Sequence, residues 1–482
     1  MTRHSYDGRG NLIRVEQPDG ADWNLRYPPQ HRKPVQITDP LGQRTLFEFD
    51  ARGNLIQSQT ADGAITRYTL DAQGRPVHVL DARGGESILQ YDAAGRLISR
   101  RDCVGSTTRF EYDRRGNLRR VIDALGGVTH YQYQRINRRD RVVAMTHPDG
   151  AVERFAYDPL GRLIAHHDPQ GHATRYVLDP AGRPLARENA LGHRLAYQYD
   201  RHGRLSTLTN ENGALYRFGW DAADRLISEQ GFDARRIDYR YNAAGELIES
   251  ADGVPYGAEW MAPRAPGVLR SHYQRDAMGR LMEKVAVRAA EPTGTNASSR
   301  AGAGAAAAAG ASAITTSTAP AVRTTRARYA YSRTGLLVQA RNAQARVELA
   351  YTPTGRLAHE TTHTRDGREF RISHRYDGLG NRVETVLPDG RVLKPELYGS
   401  GHVSKLKLDG EVITEFERDA LHRETVRTQG ALRSFFERDA AGRLIRQFVR
   451  PTDANAPTPE PKIARHYHYD RSGQLLGIDD QR

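Results

Sequence analysis

One cysteine, Cys103, stands in a chain of 482 residues. A single thiol forbids an intrachain disulfide and excludes a centre built of several cysteine ligands. A nucleophilic role for it would need a histidine or another activating base alongside. Its setting, Asp102-Cys103-Val104-Gly105, reads instead as a turn where a small residue suffices. Lysine is also scarce, with six among the 71 basic residues and arginine supplying the rest. Long apolar runs are missing. Residues 301 to 322 carry no charge, but Ile314 and Val322 are their only large apolar side chains. The Gly, Ser, Thr and Pro content therefore predicts a flexible insertion and no membrane span. The opening Met1-Thr2-Arg3-His4-Ser5-Tyr6-Asp7 lacks the apolar stretch of a secretory leader, which fits cytoplasmic residence before specialised export, or a cell-surface location. No phosphate-cradling glycine loop stands out, and no pair of carboxylates is set apart as acid and base. The sequence thus predicts no enzyme, no catalytic residue, no cofactor and no metal.

What the chain has is a repeat. The stretch Leu89-Gln90-Tyr91-Asp92-Ala93-Ala94-Gly95-Arg96-Leu97-Ile98 returns at Tyr112-Asp113-Arg114-Arg115-Gly116, Tyr157-Asp158-Pro159-Leu160-Gly161, Tyr199-Asp200-Arg201-His202-Gly203 and Tyr469-Asp470-Arg471-Ser472-Gly473. The corner Asp recurs at one constant step through positions 50, 71, 92 and 113, and again through 158, 179, 200, 221 and 242, where the last is Asn. A period this regular is the mark of a repeat architecture. The residues one and three before the Asp are mostly aromatic, as in Phe47 and Phe49, Phe110 and Tyr112, and Phe218 and Trp220. A spacing of two places them on one face of a strand, and the polar residues between them favour half-buried strand over helix.

Between the two strands of each unit, Asp accepts a backbone N–H at the first turn position and Gly adopts positive φ at the fourth. A second corner joins one hairpin to the next, at Pro18-Asp19-Gly20, Asp39-Pro40-Leu41-Gly42, Asp168-Pro169-Gln170-Gly171 and Asn189-Ala190-Leu191-Gly192. The expected fold is all-β: repeated antiparallel hairpins forming one long sheet. Length alone would suggest about three domains, but each hairpin can bury its apolar face only against its neighbours. The predicted organisation is a first array over 1–288, irregular at 134–150 and carrying an insertion at 254–271. A disordered Ala, Gly, Ser and Thr-rich insertion follows at 289–325, then a second array over 326–482 with an insertion at 451–463. All three insertions fall after the second strand of a unit, so they should leave the sheet at one edge. The abrupt start and the end at Asp479-Asp480-Gln481-Arg482 both look cut from a longer array.

The net charge of +13 raises nucleic acid or acidic polymers as partners. Much of the arginine, however, recurs directly after the fourth corner position, Gly in all but one case, at Arg75, Arg96, Arg162, Arg183, Arg204, Arg225, Arg280, Arg356 and Arg443. Acidic residues accompany it in every unit, so ion-paired or solvated strand positions are expected. His166-His167-Asp168 and His466-Tyr467-His468 have the look of metal clusters but lack further ligands at zinc-site spacing, and surface histidines are the reading that follows.

An aromatic residue, Asp, two variable residues, Gly, then Arg or Asn and Leu, returning at the constant step described above, resembles the YD repeat of bacterial Rhs proteins, teneurins and the C components of insecticidal toxin complexes. The resemblance extends over the chain outside the insertions. It implies a sheet spiralling into a hollow β-shell, which in bacterial members encloses a C-terminal toxin. The implied function is that of a shell fragment, encapsulating and helping to deliver a polymorphic toxin in interbacterial competition. Implied partners are the toxin cargo, further Rhs core segments and type VI secretion spike proteins. Nucleic acid is not expected. Two other readings stay open: a surface repeat protein binding carbohydrate or an anionic polymer, and a remnant of a longer Rhs gene. The self-cleavage motif of the family, Asp-Pro-x-Gly-Leu, is matched only in part by Asp39-Pro40-Leu41-Gly42-Gln43 and Asp158-Pro159-Leu160-Gly161-Arg162. Both lack the Leu, and neither Asp39 nor Asp158 inherits a protease role.

Overall fold

The computed structural model describes residues 1–253, 268–288, 323–452, 461 and 463–481. Most of the three expected insertions, at 254–271, 289–325 and 451–463, lies outside the described residues. The described residues form forty strands of one sheet and no helix, the all-β antiparallel architecture that the alternating pattern predicts. Two compact units are distinguished: one made of residues 1–194, 331–338 and 347–482, the other of 195–330 and 339–346.

In the first unit each strand from Arg3–Tyr6 to Pro184–Glu188 follows its predecessor as an antiparallel neighbour. The hairpin of Glu86–Tyr91 and Leu97–Arg101 shows how the sequence makes the corner. The Asp92 N–H donates to the Arg96 carbonyl at 2.9 Å, and the Gly95 N–H returns to the Asp92 carbonyl at 2.9 Å. One carboxylate oxygen of Asp92 accepts the N–H groups of Ala94 and Arg96, at 3.0 and 2.9 Å. Gly95 has φ +83°, a left-handed value that costs glycine little. The second corner at Asp81 uses the same chemistry: its carboxylate takes the N–H groups of Arg83 and Gly85, each at 2.8 Å.

Where the period slips, strands Val128–Ile136 and Arg139–Thr146 are longer and meet in a two-residue turn. Asn137 and Arg138 have φ of +46° and +61°, the conformation of a tight hairpin turn that suits the twist of the flanking strands. The ladder continues to Ile136 opposite Arg139, so this hairpin replaces the Asp-to-Gly corner without leaving the meander. In the second unit, Leu281–Arg288 pairs antiparallel with Arg323–Tyr331, from Glu283 opposite Arg328 to Arg288 opposite Arg323. Arg323, Thr324 and Thr325 therefore belong to the ladder, although composition placed all three with the insertion that precedes them.

No large side chain among the described residues is fully buried, and the buried apolar residues are mostly alanines. Stability must come from contacts running along the sheet. The recurrent aromatic of the first strand supplies one: Tyr112, Tyr133 and Tyr157 donate to the carbonyls of Leu97, Leu118 and Val142, fifteen residues earlier, each at 2.9 Å. The arginine after the corner Gly supplies another. Arg96 bonds Asp92 through Nε at 2.7 Å, reaches the Asp113 carbonyl at 3.3 Å and lies 4.9 Å from the centre of the Tyr112 ring. A single guanidinium thus ties one corner to the next hairpin by charge, hydrogen bond and cation–π contact. The second unit repeats the device, with Arg225 on Asp221, the Asn242 carbonyl and the Tyr241 ring, and with Trp220 in place of tyrosine above Arg204. Most of the recurrent arginines are consumed by the fold.

Candidate functional site

Within the first unit, second corners of early repeats meet first corners of hairpins far along the chain. Thr354 Oγ1 donates to Asp62 at 3.2 Å, and Arg356 pairs with the same carboxylate at 3.3 Å. Arg83 pairs with Asp377 at 2.6 Å and also reaches the carbonyls of Leu397 and Gly399, at 3.3 and 3.2 Å. Ser400 donates its hydroxyl to Asp81 at 2.5 Å and its N–H to the Cys103 sulfur at 3.1 Å. Further on, Arg443 pairs with Asp149 at 3.1 Å, and Gln170 Nε2 bonds Asp470 at 2.8 Å. These contacts form a seam, corner against corner.

The approach is close enough to dictate side-chain size. A Cβ on Gly378 would stand 3.0 Å from those of both Ala64 and Ala82, and one on Gly399 would meet Val104 at 2.7 Å and Cys103 at 2.9 Å. Burial disfavours ionisation of Asp62, Asp102 and Asp377, yet hydrogen bonds outweigh it. Thr60 and Thr354 at Asp62, His422 at Asp102, and Asn381 and Arg83 at Asp377 hold these carboxyls below their ordinary value of 3.8. The seam is therefore anionic on both sides and bridged by donors.

One seam corner breaks the repeat rule. In Asp419-Ala420-Leu421-His422-Arg423 a histidine takes the place of Gly, with φ +62°. This unfavourable backbone carries a ring that reaches across: His422 Nε2 lies 3.1 Å from Asp102, Nδ1 lies 3.3 Å from the Tyr398 hydroxyl, and the ring stacks on His402 at 3.6 Å. Burial and the neighbouring His422 push the His402 imidazole below its usual pKa.

Between Thr60 and the corners at 332–336 and 352–356 the seam opens into a cleft of about 840 Å³, with Trp23, Tyr351, Ser332, Thr334, Thr352 and Thr354 among its lining residues. In these two corners Ser332 and Thr352 stand where Asp or Asn opens most others.

Of the residues singled out from sequence, Cys103 is half-buried in the seam, its sulfur an acceptor. The run at 166–168 is split: His166 bonds Glu153 at 2.7 Å and stacks on Phe155, whereas Asp168 holds its own corner through Gln170 and His172. Glu153 also takes His147 at 2.7 Å, and although burial opposes it, these two donors keep its carboxyl ionised to lower pH. At 466–468, His468 pairs with Asp479 at 2.7 Å and Tyr467 donates to Gln447. Asp39 and Asp158 act as corner acceptors. Among the described residues no group of three His, Cys, Asp or Glu side chains is placed to hold a metal ion, and no helix is long and apolar enough to cross a membrane. In the second unit Glu229 accepts from Tyr216 at 2.7 Å and from Tyr239, and its hydrogen bond raises the Tyr216 phenol to about 12.

Comparison with known proteins agrees with this construction. The model of the RHS repeat matches nine overlapping stretches, covering residues 6–86 and 91–235. Double-stranded DNA deaminase toxin A of Burkholderia cenocepacia is 29% identical over 265 residues, 51% of this chain and 18% of that protein. Toxin protein Tse5 of Pseudomonas aeruginosa is 35% identical over 162 residues, 32% of this chain and 12% of that protein. The matched part thus spans less than a fifth of either curated relative. Among solved structures, a Photorhabdus luminescens Tc holotoxin pore covers 99% of this chain at 13% identity with a TM-score of 0.39, over 29% of its own length. A TcdB2–TccC3 complex covers 98% of this chain and 30% of its own at 14% identity and a TM-score of 0.33. The corner-linked hairpin of residues 6–86 and 91–235 is the RHS repeat, matched nine times along this part of the chain.

Proposed function

We propose that the chain is a wall segment of an RHS toxin-delivery protein, and that it helps to enclose a polypeptide toxin until delivery to a competing bacterium. The observation that carries this reading is the corner seam of the first unit. Contacts at Asp62, Arg83, Asp102 and Asp149 join hairpins that are remote from one another in the sequence, as the wall of a container requires and an isolated meander does not. Both relatives described above are toxins by name, which supports the same assignment. In this reading the wall itself does no chemistry, and a reaction would belong to the cargo. Further RHS segments and a secretion spike would complete the assembly. The test is to co-express the chain with the polypeptide encoded immediately downstream and to follow protease digestion. Co-purification with protection of that polypeptide is the expected result, and independent digestion of the two would overturn the proposal.

A second reading, carbohydrate capture, draws on the cleft lined by Trp23, Tyr351 and six Ser and Thr side chains, since aromatic faces and hydroxyls together suit a neutral sugar. Titrating the chain with neutral oligosaccharides while following tryptophan fluorescence separates the two. A saturable change lost on Trp23→Ala would favour capture.

A further inference from the structure

The arginines of this chain fall into two sets that sequence counting merges. One follows the corner Gly and is paired, as at Arg75, Arg96, Arg162 and Arg443. The other stands four residues before the corner Asp, at Arg67, Arg109, Arg154 and Arg175 in the first unit. All four of these are exposed.

The strand register places the second set on one face. Arg67 lies opposite Leu80, and Leu80 opposite Glu86. Ile88, two residues from Glu86, faces Arg101, and Ser99 faces Arg109. Arg109 faces Ile122, Arg120 faces His130, and His130 faces Thr146. Ala144 faces Arg154, which faces His167, and Ala165 faces Arg175. Side chains two apart on a strand share a face, so Arg67, Arg101, Arg109, Arg154 and Arg175 all project from the same side. The aromatic residues Tyr68, Phe110, Tyr112, Phe155 and Tyr176 alternate with them and project from the other.

Acidic residues on the cationic face are already engaged: Glu111 by Arg120, Glu188 by Arg175 and Glu86 by His78. Among the described residues, no ion pair or hydrogen bond occupies the guanidinium groups of Arg67, Arg101, Arg109 and Arg154. At about 4.8 Å per strand, four strands or roughly 19 Å of sheet width separate Arg67 from Arg109 and Arg109 from Arg154, with Arg101 one strand from Arg109. The row is charged and sparse, and the tyrosines and phenylalanines that alternate with it occupy the opposite face. Single-stranded nucleic acid is bound by stacking bases on aromatics along a dense cationic groove, which this face does not offer. Widely spaced guanidinium groups match the spaced carboxylates of an acidic polypeptide, which they hold by bidentate charged hydrogen bonds.

We propose that this sheet face is a docking surface for an acidic polypeptide, with Arg67, Arg101, Arg109 and Arg154 as its anchors. The inference stands apart from the enclosure reading, because it concerns the chemistry of the face and holds whether or not a toxin is enclosed. The test uses the full chain and fluorescently labelled poly-L-glutamate, with single-stranded DNA of similar length as the competing probe. Saturable polyglutamate binding is expected, weakening about tenfold or more as monovalent salt rises from roughly 50 to 250 mM. The quadruple variant R67Q/R101Q/R109Q/R154Q should lose at least about tenfold in affinity with an unchanged melting temperature, whereas R120Q/R175Q should lose little, because those arginines already have carboxylate partners. Absence of polyglutamate binding, affinity unchanged in the quadruple variant, or tighter binding of the DNA would each overturn the proposal.

Discussion

Arg83 and Asp377, 294 residues apart in the chain, form a 2.6 Å ion pair in which both side chains are largely shielded from water. Arg83 is also held by two backbone carbonyls, so the pair is fixed in geometry as surface pairs seldom are. Asp377→Asn should lose about 1–3 kcal/mol, since it uncovers a charge that the seam had neutralised. Arg83→Ala should lose a similar amount, and the double variant less than the sum. Chemical denaturation of the four proteins measures this coupling. Additive losses would show that the two residues do not interact.

Gly378 offers a steric probe of the same contact. Its missing Cβ leaves room for Ala64 and Ala82 at 3.0 Å, so Gly378→Leu must push the corners apart. Overpacking of this kind costs about 1–3 kcal/mol. Hydrogen exchange should quicken at residues 61–65 and 81–85 as well as at 377–381. Faster exchange confined to 377–381 would place no neighbour there.

Acid should loosen the seam. The folded-state carboxyls of Asp62, Asp102 and Asp377 lie below 3.8, so their contribution to stability is complete above the unfolded value and is lost as pH falls through the folded values. Stability should be flat with respect to these groups above about pH 5 and should decline below about pH 4. Asp62→Asn/Asp102→Asn/Asp377→Asn should flatten that decline, and an unchanged acid limb would remove these residues from the account.

At position 422 a histidine holds a backbone conformation suited to glycine, φ +62°. His422→Gly should ease the corner by about 1 kcal/mol while abolishing the bridge to Asp102. Global melting should therefore change little. Limited proteolysis near 102–106, however, should accelerate several-fold, and His422→Asn, which tolerates positive φ but is too short to reach across, should behave like the glycine variant. Unaltered cleavage in both would make the histidine incidental.

The local part of this architecture was legible in the sequence. Asp92 to Gly95 specifies its own corner because every bond of the turn is made between Asp92 and Arg96, and the alternation at Phe110 and Tyr112 specifies a strand face. The pairing of Arg96 with Asp92 was legible as a class, ion-paired strand positions, though its reach to Tyr112 and the Asp113 carbonyl was not. The seam was not legible at all. Which corner meets Asp62 depends on sheet twist accumulated over every hairpin between the two partners, and a shift of one hairpin would give it a different one. His422, a non-glycine at a glycine position, marks no seam by itself, since Asp224 and Ala234 hold the same position with positive φ elsewhere. The partner of His166 was not legible either: His166 and His167 are adjacent on a strand and face opposite sides, and it is Glu153, not Asp168, that His166 finds.

The most direct test of the seam uses the chain's own chemistry. Cys103, the only cysteine, has its sulfur 3.1 Å from the backbone nitrogen of Ser400, so Ser400→Cys introduces a second thiol on the residue that contacts it. Mild oxidation of that variant at low protein concentration, followed by thiol titration in denaturant, should find no free thiol in a chain that stays monomeric and runs faster without reductant. Two free thiols per chain, or disulfide formed only between chains, would contradict the corner seam.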